Sequence, residues 1–316
     1  MTYIKSKWEK KGLIFKPKGN LDWSLTHAQV PFAHLINDDI LRIFYSTRDK
    51  HSCSSVSFID VDPGDPSNIK YVHKLPVLQK GKRGSFDDSG TMPSWFLNHE
   101  NKLYMYYTAW NKSIDASYRL SIGLAVSEDN GFSFEKLFRG PILDRNMYDP
   151  IWVGQPCVLK EEGVWKMWYL CCEKIEVINN IPEPFYNVKY AESNDGVNWL
   201  RENRVCIDFD FGNIDAIGRP CVFKDEGIYK MYHSNRKALG YRENKEAAYS
   251  IGYSESEDGM YWKRLDDLAG IEKSDVGWDS LMNEYCTTYL FNGVRYLIYN
   301  GNGFGESGFG YAVLRK

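Results

Sequence analysis

The sequence repeats one pattern five times, and this periodicity is the feature that most constrains the fold. An apolar segment recurs every 62 to 66 residues, at positions Pro31, Pro93, Pro156, Pro220 and Cys286. A second segment, centred on a tyrosine, follows each first segment, at Tyr45, Tyr107, Tyr169, Tyr232 and Tyr299. Two anchors with one period predict five copies of a single structural unit.

Each unit has the pattern of four short strands. In the third unit we expect strands at 156–160, 164–170, 187–192 and 198–204, with a long loop at 171–187. Glycine accepts the positive φ that the tight turns between such strands need. Four antiparallel strands in roughly 63 residues are typical of a propeller blade. The sequence therefore predicts an all-β, five-bladed β-propeller that forms a single domain over residues 1–316.

The fifth unit is one strand short, because it ends at Phe309–Leu314. The missing fourth strand is predicted at the other end of the chain, at Trp8–Phe15, which resembles the fourth strands that begin at Trp199 and Trp262. We expect this N-terminal strand to join blade five. Such pairing closes the ring and covers strand edges that would otherwise be exposed.

Three turns between third and fourth strands share a serine, an aspartate and an aromatic residue. Ser127–Phe134 resembles the Asp-box of sialidases, and Ser193–Trp199 and Ser256–Trp262 have the pattern SxDGxxW. The aspartate can cap the backbone N–H groups of its own turn, and the aromatic residue can pack between blades. We therefore interpret these acidic turns as structural.

Composition excludes several classes of partner. The net charge is −3 and no long basic run is present, which argues against nucleic acid and anionic membrane surfaces. No stretch approaches the ~20 apolar residues of a membrane span. The first twenty residues lack the apolar core of a signal peptide, so a cytoplasmic location is expected.

Cysteine and histidine usage gives no sign of a metal centre. The seven cysteines form no CxxC pair and are interpreted as buried free thiols in a reducing compartment. No His/Asp cluster has metal-ligand spacing, so we expect no cofactor. A single structural calcium ion in the central channel is the alternative left open.

Strand direction predicts which face carries function. If the first strand of each blade starts at one face, the loops between second and third strands lie at that same face. These loops are long and irregular, and they are predicted at 48–54, 109–119, 171–187, 234–249 and 300–308. Variable loops held by a rigid scaffold are where binding and catalysis concentrate.

Four of the five blades place a carboxylate just before the first strand, where side chains would surround a central funnel. The candidate catalytic residues are Asp88, Asp149, Asp215 and Glu284. The candidate substrate-binding residues are His27, Gln29, Arg48, Trp110, Gln155, Arg219, His233, Arg236, Asp279 and Asn300. Crowded carboxylates acquire different pKa values, which yields a proton donor and a charged partner for glycosidic bond cleavage. The alternative is that these acids only cap strand starts.

The five repeats, the SxDGxxW turns and the segments Leu103–Tyr107 and Trp165–Tyr169 together resemble a known superfamily. It is the five-bladed propeller superfamily of arabinanases, β-xylosidases, invertases, levansucrases and mannoside phosphorylases. The resemblance implies a carbohydrate-active enzyme, a glycoside hydrolase or phosphorylase, with an oligosaccharide as its substrate. Arg145–Pro150 resembles the Asp-Pro step that carries the middle acid of that superfamily.

The sequence departs from the superfamily pattern in two blades. Blade one has His27 and Gln29 where the superfamily carries an aspartate, and blade four has Arg219 rather than a glutamate. Either other acids share the work, or arginine and histidine hold phosphate for a phosphorolytic reaction. Two further alternatives are a carbohydrate-binding propeller without catalysis and an enzyme that uses an activated sugar to make a surface glycan.

Overall fold

The computed structural model describes residues 7–114 and 116–315, and these residues form twenty strands. Blade one contains β2 (Thr26–Asn37), β3 (Ile40–Arg48), β4 (Ser54–Val61) and β5 (Ile69–Val72). Blade two contains β6 (Gly90–His99), β7 (Lys102–Lys112), β8 (Tyr118–Ser127) and β9 (Glu135–Lys136). Blade three contains β10 (Trp152–Glu161), β11 (Val164–Ile178), β12 (Ile181–Ser193) and β13 (Leu200–Ile207).

The remaining strands complete two further blades. Blade four contains β14 (Ala216–Asp225), β15 (Ile228–Arg236), β16 (Ser250–Ser256) and β17 (Lys263–Arg264). Blade five contains β18 (Glu284–Phe291), β19 (Val294–Asn300), β20 (Phe309–Arg315) and β1 (Lys7–Phe15). Helix is limited, in the described residues, to the 3-10 turn Asp266–Leu268 and α1 (Asn302–Gly305). No helix in this part of the chain has the length and apolarity to span a bilayer.

The first strands of the blades form a closed ring. β2 contacts β6, β6 contacts β10, β10 contacts β14, β14 contacts β18, and β18 contacts β2. Within each blade the strands pair antiparallel in sequence order, while a single parallel bridge links blade one to blade two and another links blade three to blade four. This arrangement confirms the predicted five-bladed β-propeller. The predicted single domain spans residues 1–316, and its two ends, residues 1–6 and 316, lie outside the described residues.

The N-terminal strand closes the ring as predicted. β1 pairs antiparallel with β20, so that residues 7–15 lie against residues 309–315. The indole nitrogen of Trp8 donates to the Tyr232 hydroxyl of blade four at 3.2 Å. The Lys10 ammonium lies 2.7 Å from a carboxylate oxygen of Asp279. The closure therefore combines backbone pairing with contacts between the blades.

Neighbouring blades are joined by an aromatic side chain that packs on a turn glycine. The Tyr106 hydroxyl donates to the Gly196 carbonyl at 2.9 Å, and the Trp168 indole donates to the Gly259 carbonyl at 2.7 Å. Gly196 has φ +73°, and a Cβ there would lie 2.7 Å from the Tyr106 hydroxyl oxygen. The SxDGxxW turns need glycine for both reasons.

The aspartates of these turns cap the backbone, as expected. A carboxylate oxygen of Asp195 accepts the N–H groups of Val197 and Asn198, both at 2.8 Å, and the hydroxyl of Ser193 donates to the same oxygen at 2.9 Å. The corresponding serine and aspartate in the other two turns are bonded in the same way. The acidic turns are thus structural.

The segment 171–187, predicted to be an irregular loop, is instead a regular hairpin. β11 and β12 continue past the other blades and meet at a two-residue turn, Asn179-Asn180, whose φ angles are +51° and +63°. Both central residues of a type I′ turn have positive φ, and asparagine tolerates this conformation better than most residues. We call the projecting part of this hairpin, residues 173–184, the arm.

Strand register also corrects one repeat anchor. Tyr232 pairs with Cys221 in the way that Trp168 pairs with Cys157. His233, rather than Tyr232, therefore occupies the position that Tyr169 has in blade three. The sequence comparison chose the wrong residue because aromatic side chains stand at both positions in blades one, two and three.

Candidate functional site

The first strands begin at the face that the sequence predicted to be functional, and each is distorted there. Val30, Gln155, Arg219 and Tyr285 have φ between +48° and +54°, next to a register shift in their strands. Left-handed backbone is unfavourable for residues other than glycine, most of all for a β-branched valine. Such strain is often found at functional sites.

This distortion allows hydrogen bonds between neighbouring blades. The backbone N–H of Tyr285 donates to the Ser234 hydroxyl at 2.9 Å, and that of Val30 donates to the Asn300 side-chain oxygen at 2.7 Å. The amide nitrogen of Asn300 also donates to the carbonyls of Ala28 and Gly308. All the polar atoms of this side chain therefore serve the junction of blades five and one. This occupancy weighs against the predicted role of Asn300 in binding substrate.

Asp149, a candidate catalytic residue, is fully buried and paired with several donors. The Tyr169 hydroxyl donates to it at 3.1 Å, the Lys189 ammonium lies at 3.3 Å, and the Arg201 guanidinium lies at 2.7 Å. Its side chain is 0% exposed. The two cations pair with this carboxylate inside the blade.

The same arrangement occurs in two other blades. In blade five, Asp279 accepts from the Tyr299 hydroxyl at 2.9 Å and pairs with Lys10. In blade two, Asp87 accepts from a tyrosine of the second strand and pairs with Lys136 of the fourth strand. In all three blades the tyrosine lies 20 residues after the aspartate. An aspartate–tyrosine–cation contact that is repeated in three blades indicates a structural role in stabilising each blade.

Asp88 and Asp215 also bind their own loops. The two oxygens of Asp215 accept the backbone N–H groups of Gly212 at 2.6 Å and Ala238 at 2.7 Å. Asp88 accepts the Gly84 N–H at 2.9 Å and the Asn111 side-chain amide at 2.8 Å. No hydrogen bond or ion pair within 7–114 and 116–315 joins any two of the four predicted catalytic carboxyl groups.

His233 lies within blade four rather than in a cleft. Its ring nitrogens contact the Asn235 side-chain oxygen at 2.7 Å and the Ser254 hydroxyl at 3.0 Å, and it is 0% exposed. Asp266 lies 3.7 Å from it. Burial lowers the pKa of His233, so the ring is neutral, and its two hydrogen bonds stabilise the blade.

Glu284 has surroundings unlike those of the predicted aspartates. It is 0% exposed, and neither of its carboxyl oxygens has a hydrogen-bond partner. Burial raises its pKa well above the ordinary 4.5, and the nearby Tyr285 hydroxyl and Arg236 charge oppose this shift only in part. Glu284 therefore holds its proton more tightly than an exposed glutamate does.

Arg236 does not pair with Glu284 because its N–H groups are bonded elsewhere. Its Nε donates to the hydroxyls of Tyr186 at 3.3 Å and Tyr249 at 3.2 Å, and its two terminal nitrogens donate to backbone carbonyls. The two tyrosine hydroxyls bond to each other. We call Tyr186, Arg236, Tyr249, Glu284 and Tyr285 the Tyr–Arg–Glu cluster.

Further aromatic and unpaired polar groups surround this cluster. The indole of Trp152 packs against Tyr186, with ring centroids 5.8 Å apart, and its N–H has no partner. The side-chain amide nitrogen of Asn283 is also buried without a partner. Unsatisfied buried donors are costly, and their presence beside a free carboxyl is what a site for a hydroxyl-rich ligand would show.

Four predicted residues lie in blades one and two, at the same face. Arg48 donates through Nε to the Gln29 side chain at 2.9 Å. Burial lowers the pKa of Arg48, and the nearby Tyr285 and Glu306 side chains oppose this shift. His27 lies close to Arg48, and burial lowers its pKa to about 4. Trp110 donates to the Ser54 hydroxyl at 2.8 Å, which ties blade two to blade one.

The structure thus brings some predicted residues together and separates others. Glu284 and Arg236 meet in the Tyr–Arg–Glu cluster, while Gln155 and Arg219 lie on neighbouring first strands. Sequence reasoning missed Tyr186 and Tyr249 as members of the site. Their separation of 63 residues, equal to one blade repeat, was the signal that could have found them.

An open surface cleft also lies near this face, in blades two and three. It has a volume of about 460 Å³, and Phe86, Asn111, Arg119 and Arg145 are among its lining residues. No carboxyl group of the Tyr–Arg–Glu cluster lines it. Among the residues that the structure describes, no group of three or more His, Cys, Asp or Glu side chains is arranged to hold a metal ion.

Solved structures with a similar fold are glycoside hydrolases and their relatives. A structure described as a glycoside hydrolase matches with a TM-score of 0.75 and 15% identity, over 98% of this chain and 92% of that one. A structure from a study of GH130 mannoside phosphorylases and hydrolases of β-1,2 mannosidic linkages in Candida mannan has a TM-score of 0.74 and 16% identity, over 99% and 95%. A thermostable family-43 glycoside hydrolase has a TM-score of 0.64 and 17% identity, over 94% and 90%.

Two sequence relatives come from Mycobacterium tuberculosis. The uncharacterized protein MT1551 of strain CDC 1551 / Oshkosh is 36% identical over 309 residues, which are 98% of this chain and 99% of that protein. The uncharacterized protein Rv1502 of strain ATCC 25618 / H37Rv has the same identity and coverage. No family model matches the sequence. The chain belongs to the family of these two mycobacterial proteins, and its fold is that of the propeller glycoside hydrolase superfamily.

Proposed function

We propose that the chain is a carbohydrate-active enzyme that cleaves a glycosidic bond, with Glu284 as the proton donor. The observation that carries this proposal is the carboxyl of Glu284, which is fully buried beside Arg236 and several tyrosines and whose pKa is raised by that burial. A carboxyl group that keeps its proton at neutral pH can protonate the oxygen of a leaving sugar. The similar folds of glycoside hydrolases support the reaction class.

The surrounding residues fit the demands of a sugar ligand. The ring of Tyr285, which is partly exposed, can stack on the apolar face of a sugar ring. The unpaired N–H groups of Trp152 and Asn283 can bond to sugar hydroxyls. Tyr285 is partly exposed while Glu284 is buried behind it, so a substrate would approach along the Tyr285 side.

Hydrolysis needs a second carboxylate. The two groups lie about 5–5.5 Å apart in retaining enzymes and about 6.5–9.5 Å apart in inverting ones. Asp88, Asp149 and Asp215 are the predicted partners, and each already bonds to several groups of its own blade. A paired mechanism would have to use one of these carboxylates without breaking the contacts that hold its loop.

Phosphorolysis is the second candidate, and the single free carboxyl group favours it. In that reaction phosphate itself attacks the sugar, so the enzyme needs one proton donor and cations to hold the phosphate. Arg48 lies close to Tyr285 and is only partly buried, which makes it the best placed cation. The superfamily resemblance includes mannoside phosphorylases, which act in this way.

A turnover screen tests the proposal. Purified protein is incubated with oligosaccharides and nucleotide sugars, with and without phosphate, and Glu284→Gln is compared with wild type. We expect wild type to release product and Glu284→Gln to bind the same sugar while losing at least 100-fold in kcat, on the order of the loss of a general acid. Product that appears only with phosphate identifies a phosphorylase.

Other outcomes would overturn the proposal. Equal turnover by wild type and Glu284→Gln would show that Glu284 is not the donor. Sugar binding by both proteins with no product would favour a carbohydrate-binding propeller. Turnover confined to nucleotide sugars would point to glycan synthesis with an activated donor.

A further inference from the structure

Arg219 places a guanidinium group among the first strands, where the five blades meet. It belongs to the first strand of blade four, and its Nη1 donates to the carbonyl of Ser94 in blade two at 2.5 Å. The side chain is 0% exposed. Nε and Nη2 are buried and have no hydrogen-bond partner. The side chain therefore spans from one blade to a non-adjacent blade and keeps two donors free.

The backbone is built to aim this side chain inward. Arg219 has φ +54°, a left-handed conformation that an arginine adopts only when its surroundings enforce it. At Gly218 a Cβ would lie 2.6 Å from the Leu170 side chain and 2.7 Å from the Gln155 amide oxygen. Glycine at 218 lets blade four approach blade three closely, and Pro220 fixes the chain that follows.

The neighbours of Arg219 carry no negative charge. The groups that act most strongly on it are the thiols of Cys157, Cys221 and Cys286, from three first strands. Burial raises the pKa of each of these thiols, so all three are neutral. No carboxylate is among the described groups that act on its charge.

Arg219 nevertheless stays charged. Burial lowers the pKa of its guanidinium, but arginine starts so high that it does not lose its proton in a folded protein. A buried charge without a partner is strongly unfavourable. The other deeply buried arginines avoid this problem, because Arg42 pairs with Asp60 at 2.7 Å and all nitrogens of Arg236 donate to oxygens.

We propose that Nε and Nη2 of Arg219 bind a small monovalent anion of the chloride class where the first strands meet. Water alone could satisfy the three N–H groups of Nε and Nη2 but would leave the charge without a counter-ion. The three neutral thiols add weak S–H donors and no repulsion. The site is independent of the proposed reaction, because it needs neither Glu284 nor a sugar.

The first test uses the wild-type protein. Crystals are soaked in bromide, and anomalous scattering locates the bound ions. We expect a bromide peak within hydrogen-bond distance of the Arg219 guanidinium. Crystals with bromide only at the protein surface, and a water-like peak at Arg219, would overturn the proposal.

The second test measures the melting temperature Tm as chloride replaces gluconate at constant ionic strength. A ligand that binds only the folded state raises Tm with its concentration. We expect a rise of about 2 °C per tenfold increase in chloride once the site begins to fill. Arg219→Met should lose this response, whereas Arg264→Met, which removes a guanidinium already paired with Asp266 at 2.8 Å, should keep it.

A third experiment, with phosphate in place of chloride, distinguishes an anion that only balances the Arg219 charge from a phosphate that takes part in the reaction. Phosphate at the same ionic strength should not replace chloride in raising Tm. A rise with phosphate alone would assign Arg219 to the proposed phosphorolytic reaction and overturn the chloride-class site. A response to neither anion would show that water fills the position and would equally overturn it.

Discussion

At the residue scale, buried carboxyl groups in this protein fall into two kinds. Asp149 has two cations and a tyrosine hydroxyl around it, whereas Glu284 is fully buried with no cation paired to it. The first arrangement pairs a carboxylate with cations inside a blade. In the second arrangement, burial raises the pKa of the carboxyl group. This difference, rather than position in the repeat, is what points to Glu284 as the reactive acid.

The pKa of Glu284 makes stability depend on pH. The raised value in the folded state means that folding keeps a proton which the unfolded chain loses near its ordinary pKa of 4.5. The stabilising effect is complete below 4.5 and is lost as pH rises through the folded-state pKa, at a slope of about 1.4 kcal/mol per pH unit. We expect urea unfolding to show that Glu284→Gln gains stability relative to wild type as pH rises above 4.5.

The matched control for this experiment is an exposed glutamate. Glu257→Gln should follow the pH profile of the wild-type free energy of unfolding, because its side chain is in solvent. A Glu284→Gln profile parallel to wild type would show that Glu284 is ionised in the folded protein, and it would remove the basis for a proton donor.

Asp149 is expected to matter first for stability. Asp149→Asn removes the carboxylate that Lys189 and Arg201 share and leaves the buried Lys189 with Glu173, 2.7 Å away, as its remaining carboxylate partner, so the free energy of unfolding should fall by about 3 kcal/mol. Asp225→Asn, which breaks a more exposed pair with Lys230, should cost less than about 1 kcal/mol. Urea unfolding compares the two. Lost turnover with unchanged stability would instead make Asp149 part of the chemistry.

At the element scale, the arm differs from the rest of the fold. It projects beyond its blade and exposes Val177 to 72%. At its base, Lys174 lies over the Phe185 and Phe211 rings, with its ammonium 4.6 and 4.2 Å from their centroids. Glu183 and Pro184 at its base contact Arg242 and Arg236 of blade four, whereas its tip depends on the Asn179-Asn180 turn, so the tip can loosen without unfolding the propeller.

Hydrogen exchange can test this independence. Asn180→Val places a β-branched residue at φ +63° and should cost the arm about 1–2 kcal/mol, while Asn180→Gly should be within about 0.5 kcal/mol of wild type. We expect amides in residues 173–184 to lose protection in the valine variant. Amides of the first strands should be unchanged. Loss of protection throughout the chain would show that the arm and the blades unfold together.

The strands also show how much of the fold could be predicted from the sequence. The repeat spacing and the turn glycines were sufficient to predict the blades, because both are dictated by local backbone geometry. The arm was misread as a loop because Asn-Asn is a weaker turn signal than Asn-Gly, and its exposed strands lack clear alternation. Tyr186 and Tyr249 were missed because tyrosines are abundant here, and only tertiary packing separates those around Arg236 from the others.

The carboxylates show a second limit. Sequence places Asp88, Asp149, Asp215 and Glu284 close to the starts of four first strands, but their roles depend on what the neighbouring loops donate to them. Asp149, for example, is paired with Arg201 of the fourth strand and Lys189 of the third. Such partners come from distant positions, so the spacing of acids alone could not distinguish a reactive group from a structural one.

At the scale of the whole molecule, stability depends on ring closure. β1 supplies the pairing edge for β20, the Trp8 contact to blade four and the Lys10 partner of Asp279. Without it, β20 would present an unpaired edge and Asp279 would keep a buried charge.

A truncated chain tests this dependence. Deletion of residues 1–15 should give a protein that aggregates on size-exclusion chromatography and loses its cooperative thermal transition. The control is Arg315→Ala, which removes an exposed ion pair with Glu9 in the same strand pair and should change stability by less than about 1 kcal/mol. A monomeric truncated protein with an unchanged Tm would show that the other strands hold the ring without β1.

The same closure sets an order of events during synthesis. Glu9 and Arg315, which meet in the finished protein, are separated by 306 positions along the chain. The first strand to leave the ribosome is therefore among the last to find its place, and it must stay unpaired while blades one to four assemble. A circularly permuted gene that starts at Thr26 and joins the old ends through a short linker would make β20 and β1 consecutive, turning the slowest pairing in the molecule into a local hairpin.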